Sequence, residues 1–259
     1  MTYIDTHAHL YADKFDQDRD EMIQRAKDAG VNKLFLPNID ESSIEGMEAL
    51  VDKYPGVCYS MMGIHPCNVE KDWQLQLERV QQHFDPKRHI AIGEIGIDLY
   101  WDQSLQQEQT EAFRAQIQWA KEVNLPIVIH CRDSFDEIFE VLDAENDDRL
   151  TGVFHCFTGT EEQGRRILNY GGFKLGIGGV VTFKNSGLDK SIANIGPEHL
   201  VLETDAPYLT PTPHRGKRNE SSYIPLIAEK LSSIYNVDEK EIGNITSQNA
   251  LEVFKMEKG

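Results

Sequence analysis

The sequence predicts an α/β protein built as a single (β/α)8 TIM barrel, with its chemistry at the C-terminal face of the strands. Three observations carry this prediction. The chain has 259 residues, the usual length for such a barrel. Eight short apolar runs, most of them rich in Val, Ile and Leu, read as strands covered on both faces. Most of these runs are separated by stretches with helical spacing and one charged face. Strands alternating with helices require a parallel sheet, and eight units favour a closed ring over an open one.

The elements follow in order. Residues 3–4 begin the first strand, and residues 15–29 form a helix ending at Gly30, where a C-cap glycine belongs. Strands at 33–37 and 57–64 enclose a helix at 43–54. A helix at 73–84 precedes a strand at 90–92, and a long helix at 105–123 precedes a strand at 126–129. A helix at 134–142 follows. Strands then come at 152–154, 173–177 and 200–202, with Gly171 closing the helical stretch before the seventh. The tail, 222–254, reads as two helices: the last of the barrel and a cap against its outside. The sequence has no low-complexity tract, short repeat or Gly/Ser/Pro-rich linker, so residues 1–259 are expected to form one continuous domain.

Composition narrows the function. Mean hydropathy is −0.47 and no apolar run approaches the ~20 residues of a membrane span. The N-terminal MTYIDTHAHL has none of the parts of a secretory signal. Cys58, Cys67, Cys131 and Cys156 form no CxxC pair and read as reduced thiols, so a cytoplasmic protein is expected. The net charge of −17 excludes a coat-like or histone-like nucleic-acid binder. It does not exclude an enzyme that meets nucleic acid at one metal-filled site, because bound cations reverse the local charge.

The ionisable residues at the predicted strand ends are the strongest signal. His7 and His9 follow the first strand, His65 ends the third, and Glu94 follows the fourth. His130, His155 and Asp205 mark the fifth, sixth and eighth. In a barrel all of these lie on one rim. A His-x-His pair on a strand puts both imidazoles on one face, and imidazoles with carboxylates suit a divalent transition metal. His65 alone reads more simply as a hydrogen-bonded core residue. So do His83, His89 and His199, in predicted helix or loop. The whole set resists that reading, because burying so many unpaired polar groups costs several kcal/mol.

The segments DTHAHL, GIHP, GEIGID, VIHCRD, HCFTG and ETDAPYL, in this order on these strands, resemble the TatD family of metal-dependent nucleases. The resemblance extends to about Asn219 and implies an amidohydrolase-like barrel holding two divalent cations, with zinc, magnesium and manganese among the metals such ligands suit. It implies that His7, His9 and Asp205 bind the first cation, and that Glu94 bridges to a second held by His130 and His155. Two cations roughly 3.5–4 Å apart can share one carboxylate and clamp the attacking and leaving oxygens of a phosphodiester. Asp205 would also orient the attacking water and accept its proton.

Glu203 is expected to hydrogen-bond a ligand histidine, or else to be a buried residue with a local partner. Asp98 is expected to support the ligands, and His65 and Arg132 to contact substrate. Cys131 and Cys156 read as core. Arg215, Lys217 and Arg218, in the one dense basic run, are candidates for phosphate contact, the alternative being a solvated loop. The family usually continues Asn-Glu-Pro at this point, whereas this chain has Asn219-Glu220-Ser221. Tyr100 and Trp101 are candidates for base stacking or for loop-edge packing.

The expected activity is hydrolysis of DNA, trimming single strands from the 3′ end, with RNA as a further substrate. No membrane and no obligatory protein partner is expected. A competing reading is a hydrolase of a small ester, lactone or amide, or a D-aminoacyl-tRNA deacylase. Many two-metal amidohydrolase-like barrels bridge their ions with a carbamylated Lys on the fourth strand. Here Glu94 stands there, and no Lys occurs between it and Trp101. A third reading, a metal-binding scaffold without catalysis, leaves a water-orienting acid unexplained.

Overall fold

The computed structural model describes residues 2–257. The ends of the predicted domain, residues 1, 258 and 259, lie outside the described residues. Eight parallel strands alternate with helices: β1 Tyr3–Asp5, α1 Arg19–Asp28, β2 Val31–Leu36, α2 Glu41–Lys53, β3 Cys58–Ser60, α3 Trp73–Gln82, β4 Ile92–Asp98 and α4 Gln106–Val123. Then come β5 Ile127–Arg132, α5 Phe135–Glu145, β6 Gly152–Phe154, α6 Glu161–Asn169, β7 Phe173–Ile177, α7 Leu188–Ile192, β8 Leu200–Leu202, α8 Ile224–Tyr235 and α9 Glu239–Val253.

The ladders run β1-β2-β3 and β4-β5-β6-β7-β8. Two seams join them into a ring. At one, Met62 bridges Ile92, and Met62 N donates to Ala91 O at 3.1 Å. At the other, Ala8 bridges Ala206, and Thr6 N donates to Leu202 O at 3.0 Å. The fold is the TIM barrel that length and alternation predict.

Alternation along the strands sorts the core into two shells. Ile4, Phe35, Met61, Ala91, Val128, Val153 and Val201 form an inner cluster, joined by Ala250, Val253 and Phe254 at the end of α9. Their strand neighbours, such as Leu34, Leu36, Ile127, Ile129, Leu200 and Leu202, pack in the larger cluster with the helices. Phe254 meets Phe35 edge to face, with ring centroids 4.8 Å apart. Asn249 Nδ2 donates to Leu200 O, at the start of β8. The last helix therefore seals the N-terminal end of the barrel rather than lying against its side, and the C-terminal end is the one left for a site. Among the described residues, no helix is long and apolar enough to cross a membrane.

The fourth strand differs most from its sequence expectation. It begins where the predicted run of residues 90–92 ends, and all seven of its residues are buried. Two glycines and two acids interrupt its apolar pattern, so its alternation is invisible in sequence. Glu94 thus lies inside β4, not after it, at a break in register between Gly93 and Ile95.

Candidate metal centre

The rim histidines and acids converge as expected, by less regular backbone than straight strands. His7 and His9 lie past the end of β1, where the Ala8–Ala206 bridge fixes their register. Their rings are 5.1 Å apart. His130 is on β5, two residues before its end, and His155 directly follows β6. Asp205 adopts φ 56°, a left-handed conformation that costs a non-glycine residue about 1–2 kcal/mol. The chain therefore turns after Glu203 instead of running on as a strand.

Close packing holds these positions. Gly96 has φ 141°, and a Cβ there would lie 2.0 Å from His130 O, so only glycine lets β4 approach β5 this closely. A Cβ on Gly176 would lie 2.2 Å from Glu203 Oε2, so this glycine makes room for the buried acid.

Glu94 is the hub, and its two oxygens divide the imidazoles. Oε2 faces His7 Nε2 at 3.0 Å and His9 Nε2 at 3.6 Å. Asp205 Oδ1 lies 3.6 Å from His9 Nε2 and 4.0 Å from His7 Nε2. Oε1 faces His130 Nδ1 at 2.8 Å, His155 Nε2 at 3.2 Å and His65 Nε2 at 3.4 Å.

The outer partners fix most of the tautomers. Asp98 Oδ2 accepts from His130 Nε2 at 2.8 Å, which in the neutral ring leaves the Nδ1 lone pair facing the hub. Glu203 Oε1 accepts from His155 Nδ1 at 3.1 Å, leaving Nε2 free. The Tyr11 hydroxyl donates to Pro37 O at 2.6 Å and so accepts from His9 Nδ1 at 3.0 Å, again leaving Nε2 free. His65 is the opposite case. Its Nδ1 accepts from Cys67 N at 3.1 Å, so in the neutral ring Nε2 carries the hydrogen. His65 therefore presents a donor at the rim and no lone pair to a cation.

This donor set fits cations. Against burial, Asp98 and Glu94 raise His130, and Glu203 and Glu94 raise His155, so both rings donate to the carboxylate and would turn lone pairs to a cation on giving up a proton. His7 Nδ1 and Glu203 Oε2 are buried without a hydrogen-bond partner among the described residues. Burial alone would push the Glu94 carboxyl up, but His7, His65, His155 and the hydrogen bond from His130 hold it well below the usual carboxylate range. Asp98 resists burial through His130 and is brought to about 2. Asp205 is also lowered, against burial, by His9, His155 and His7. Burial and the neighbouring His155 lower His7, so its ring stays neutral as a ligand requires. Cys131 and Cys156 are half-buried, and burial pushes the Cys131 thiol up to about 12.

The expected substrate contacts divide. Arg132 is exposed at the end of β5, its guanidinium carbon 3.8 Å over the Tyr100 ring. Arg215 lies 3.6 Å over Phe183. Lys217 is exposed, and among the described residues its side chain makes no ion pair or hydrogen bond. Arg218 is committed elsewhere, to a two-pronged pair with Asp18 at 2.6 and 2.8 Å. Tyr11 is the site residue that sequence reasoning misses: its two-residue spacing from His9 is the only signal, and a tyrosine after His-x-His has no general meaning.

Fold and site together define a metal-dependent hydrolase of the barrel type. The chain belongs to the TatD family: the model for TatD related DNase matches residues 4–255. It is 38% identical over 253 residues to the metal-dependent hydrolase YabD of Bacillus subtilis (strain 168), covering 97% of this chain and 98% of that one. It is 32% identical over 259 residues to the 3'-5' ssDNA/RNA exonuclease TatD of Pectobacterium parmentieri (strain WPP163), covering 97% and 99%. The crystal structure of YJJV, a TatD homologue from Escherichia coli k12, superposes with a TM-score of 0.91 at 30% identity over 98% of each chain.

Proposed function

We propose that this chain, as one continuous barrel domain, is a two-cation phosphodiesterase that trims single-stranded DNA or RNA from the 3′ end. The division of the imidazoles between the two oxygens of Glu94 carries the two-cation reading. His7, His9 and Asp205 would hold one cation and His130 and His155 the other, with Glu94 between the two sets. His and carboxylate ligands suit zinc or manganese, with magnesium more loosely held. The names of the exonuclease relatives support the substrate and the polarity.

The cations, when bound, supply Lewis-acid stabilisation of the phosphate and acidify the attacking water. The chain's own residues do the rest. Asp205 Oδ1, beside His9 and His7, orients the water and accepts its proton as the water attacks phosphorus, and the P–O bond breaks with the leaving oxygen taking up a proton from solvent. His65 donates from Nε2 to a substrate oxygen. Asp98, Glu203 and Tyr11 hold the ligand rings. Arg132, Arg215 and Lys217 take phosphates, while Arg218 clasps the loop to Asp18.

The test is a cleavage assay on end-labelled single and double strands with Mn, Mg or Zn, beside a panel of small esters and D-aminoacyl-tRNA. Stepwise loss from the 3′ end of single strands is expected. Asp205→Asn should lower kcat by at least about 10²–10⁴-fold, with metal content measured alongside. Ester or aminoacyl-tRNA turnover without cleavage of any nucleic acid would overturn the reading. A near-normal rate in Asp205→Asn with both cations retained would remove Asp205 as the base.

A further inference from the structure

The arginines of this acidic chain are nearly all spoken for. Among the described residues, Arg19, Arg25, Arg79, Arg88, Arg114, Arg149, Arg165, Arg166 and Arg218 each pair with a carboxylate. The other two, Arg132 and Arg215, stand at the C-terminal rim, each packed on an aromatic ring. With 43 acids available, leaving these two guanidiniums without one keeps them open to an outside anion.

Beside Arg132 the rim carries exposed aromatic surface. Trp101 is 71% exposed and Tyr100 53%, the rings meeting edge to face at 4.8 Å. Arg132 covers one face of Tyr100 and lies 5.3 Å from the Trp101 centroid. A single carboxylate ties this turn to the centre. Asp98 Oδ1 accepts from Tyr100 N at 3.0 Å and Trp101 N at 3.4 Å, while Oδ2 accepts from His130 Nε2. These bonds keep the Trp101 backbone within roughly 8 Å of the His130 ring. Arg132 is also the ladder partner of Asp98.

We infer that Trp101, braced by Tyr100 and Arg132, is a stacking subsite for an unpaired nucleobase next to the scissile phosphate, with Arg132 on the adjoining phosphate. The inference rests on the single-strand nuclease reading above and deepens it. An indole face stacks on any base, so the subsite selects unpaired ends without selecting sequence. A base inside a duplex is stacked on both faces and has none to offer. Asp98 then has two tasks: it sets the tautomer of His130 and holds the platform in register with the centre.

The test compares two oligonucleotides of equal length and charge on the metal-loaded protein: a phosphorothioate tetrathymidylate and its abasic counterpart. Binding is followed by anisotropy and by quenching of tryptophan fluorescence. The wild type is expected to bind the base-bearing strand at least about tenfold more tightly. Trp101→Ala should bring that ratio near one and abolish most of the quenching; Trp101→Phe should keep most of the ratio. Trp101 packs against little, so its loss leaves no cavity, and an unchanged melting temperature checks this. If Trp101→Ala kept the wild-type ratio, or the wild type showed none, the subsite would be refuted, while 3′ trimming would leave the nuclease reading standing. If no single strand were bound or cleaved, both would fall.

Discussion

Tyr11 shows how much of a metal centre depends on a residue that binds no metal. Its hydroxyl has one hydrogen, committed to Pro37 O, so it can only accept from His9. Tyr11→Phe deletes that acceptor and leaves a buried N–H unpaired, or lets His9 change tautomer and turn its lone pair away. Cation affinity is expected to fall about 10–100-fold, the usual cost of losing such a support. Calorimetric titration with zinc would measure it, and the nitrogen shifts of His9 would report the tautomer. Unchanged affinity would mean that packing alone positions His9. The candidate ligands were legible in sequence because His and Asp at strand ends are rare types in a regular place. Tyr11 was not, because its role depends on where Pro37 lies after the second strand. Glu203 was legible only by its spacing from Asp205. Its contact with His155 required knowing that the chain turns at Asp205.

Between elements, long-range ion pairs act where the apolar pattern is silent. Arg88 and His89, just before β4, bind Glu48 on α2: His89 Nε2 is 3.2 Å from Glu48 Oε1, and Arg88 also reaches Asp52 at 2.7 Å. This latch aligns the start of β4, the strand whose placement sequence reasoning missed. Burial alone would raise Glu48, but its hydrogen bonds to His89 and Arg88 bring it down to about 2. A carboxyl lowered on folding adds stability above its usual range, near 4.3, and loses it as pH falls towards the folded value. The partial exposure of the pair limits the gain to about 1 kcal/mol after solvent screening. Glu48→Gln is therefore expected to lower Tm by about 2–4 °C at pH 7, with the deficit shrinking steadily between pH 4.5 and 2.5. Scanning calorimetry across that range would show it. A deficit independent of pH would assign the effect to packing instead. The outer helices were readable from their 3.6-residue spacing, whereas α9 was misplaced because an amphipathic helix suits the bottom of a barrel as well as its side.

For the whole molecule, the net charge of −17 sets a conflict with a polyanionic substrate. The overall field repels a nucleic acid, and the side-chain cations proposed to meet it at the rim are Arg132, Arg215 and Lys217. Salt acts on these two forces over different ranges. The screening length falls from about 30 Å at 0.01 M to about 10 Å at 0.1 M, so early additions of salt relieve the long-range repulsion most. Contacts at the rim lose affinity through counterion uptake instead, with a slope of about −0.7 per phosphate neutralised on a single strand. Three such contacts give a limiting slope near −2. Affinity for a short single strand, measured by anisotropy at fixed divalent concentration, should therefore be flat or rising below about 0.05 M salt and fall with a slope no steeper than about −2 above it. Arg132→Gln with Arg215→Gln should remove about 1.4 from that slope. A basic groove in a basic protein would instead lose affinity from the lowest salt onward. A limiting slope of about −5 would require more phosphate contacts than these three, and would extend the path of the strand to lysines without a carboxylate partner among the described residues, such as Lys14 over Tyr208.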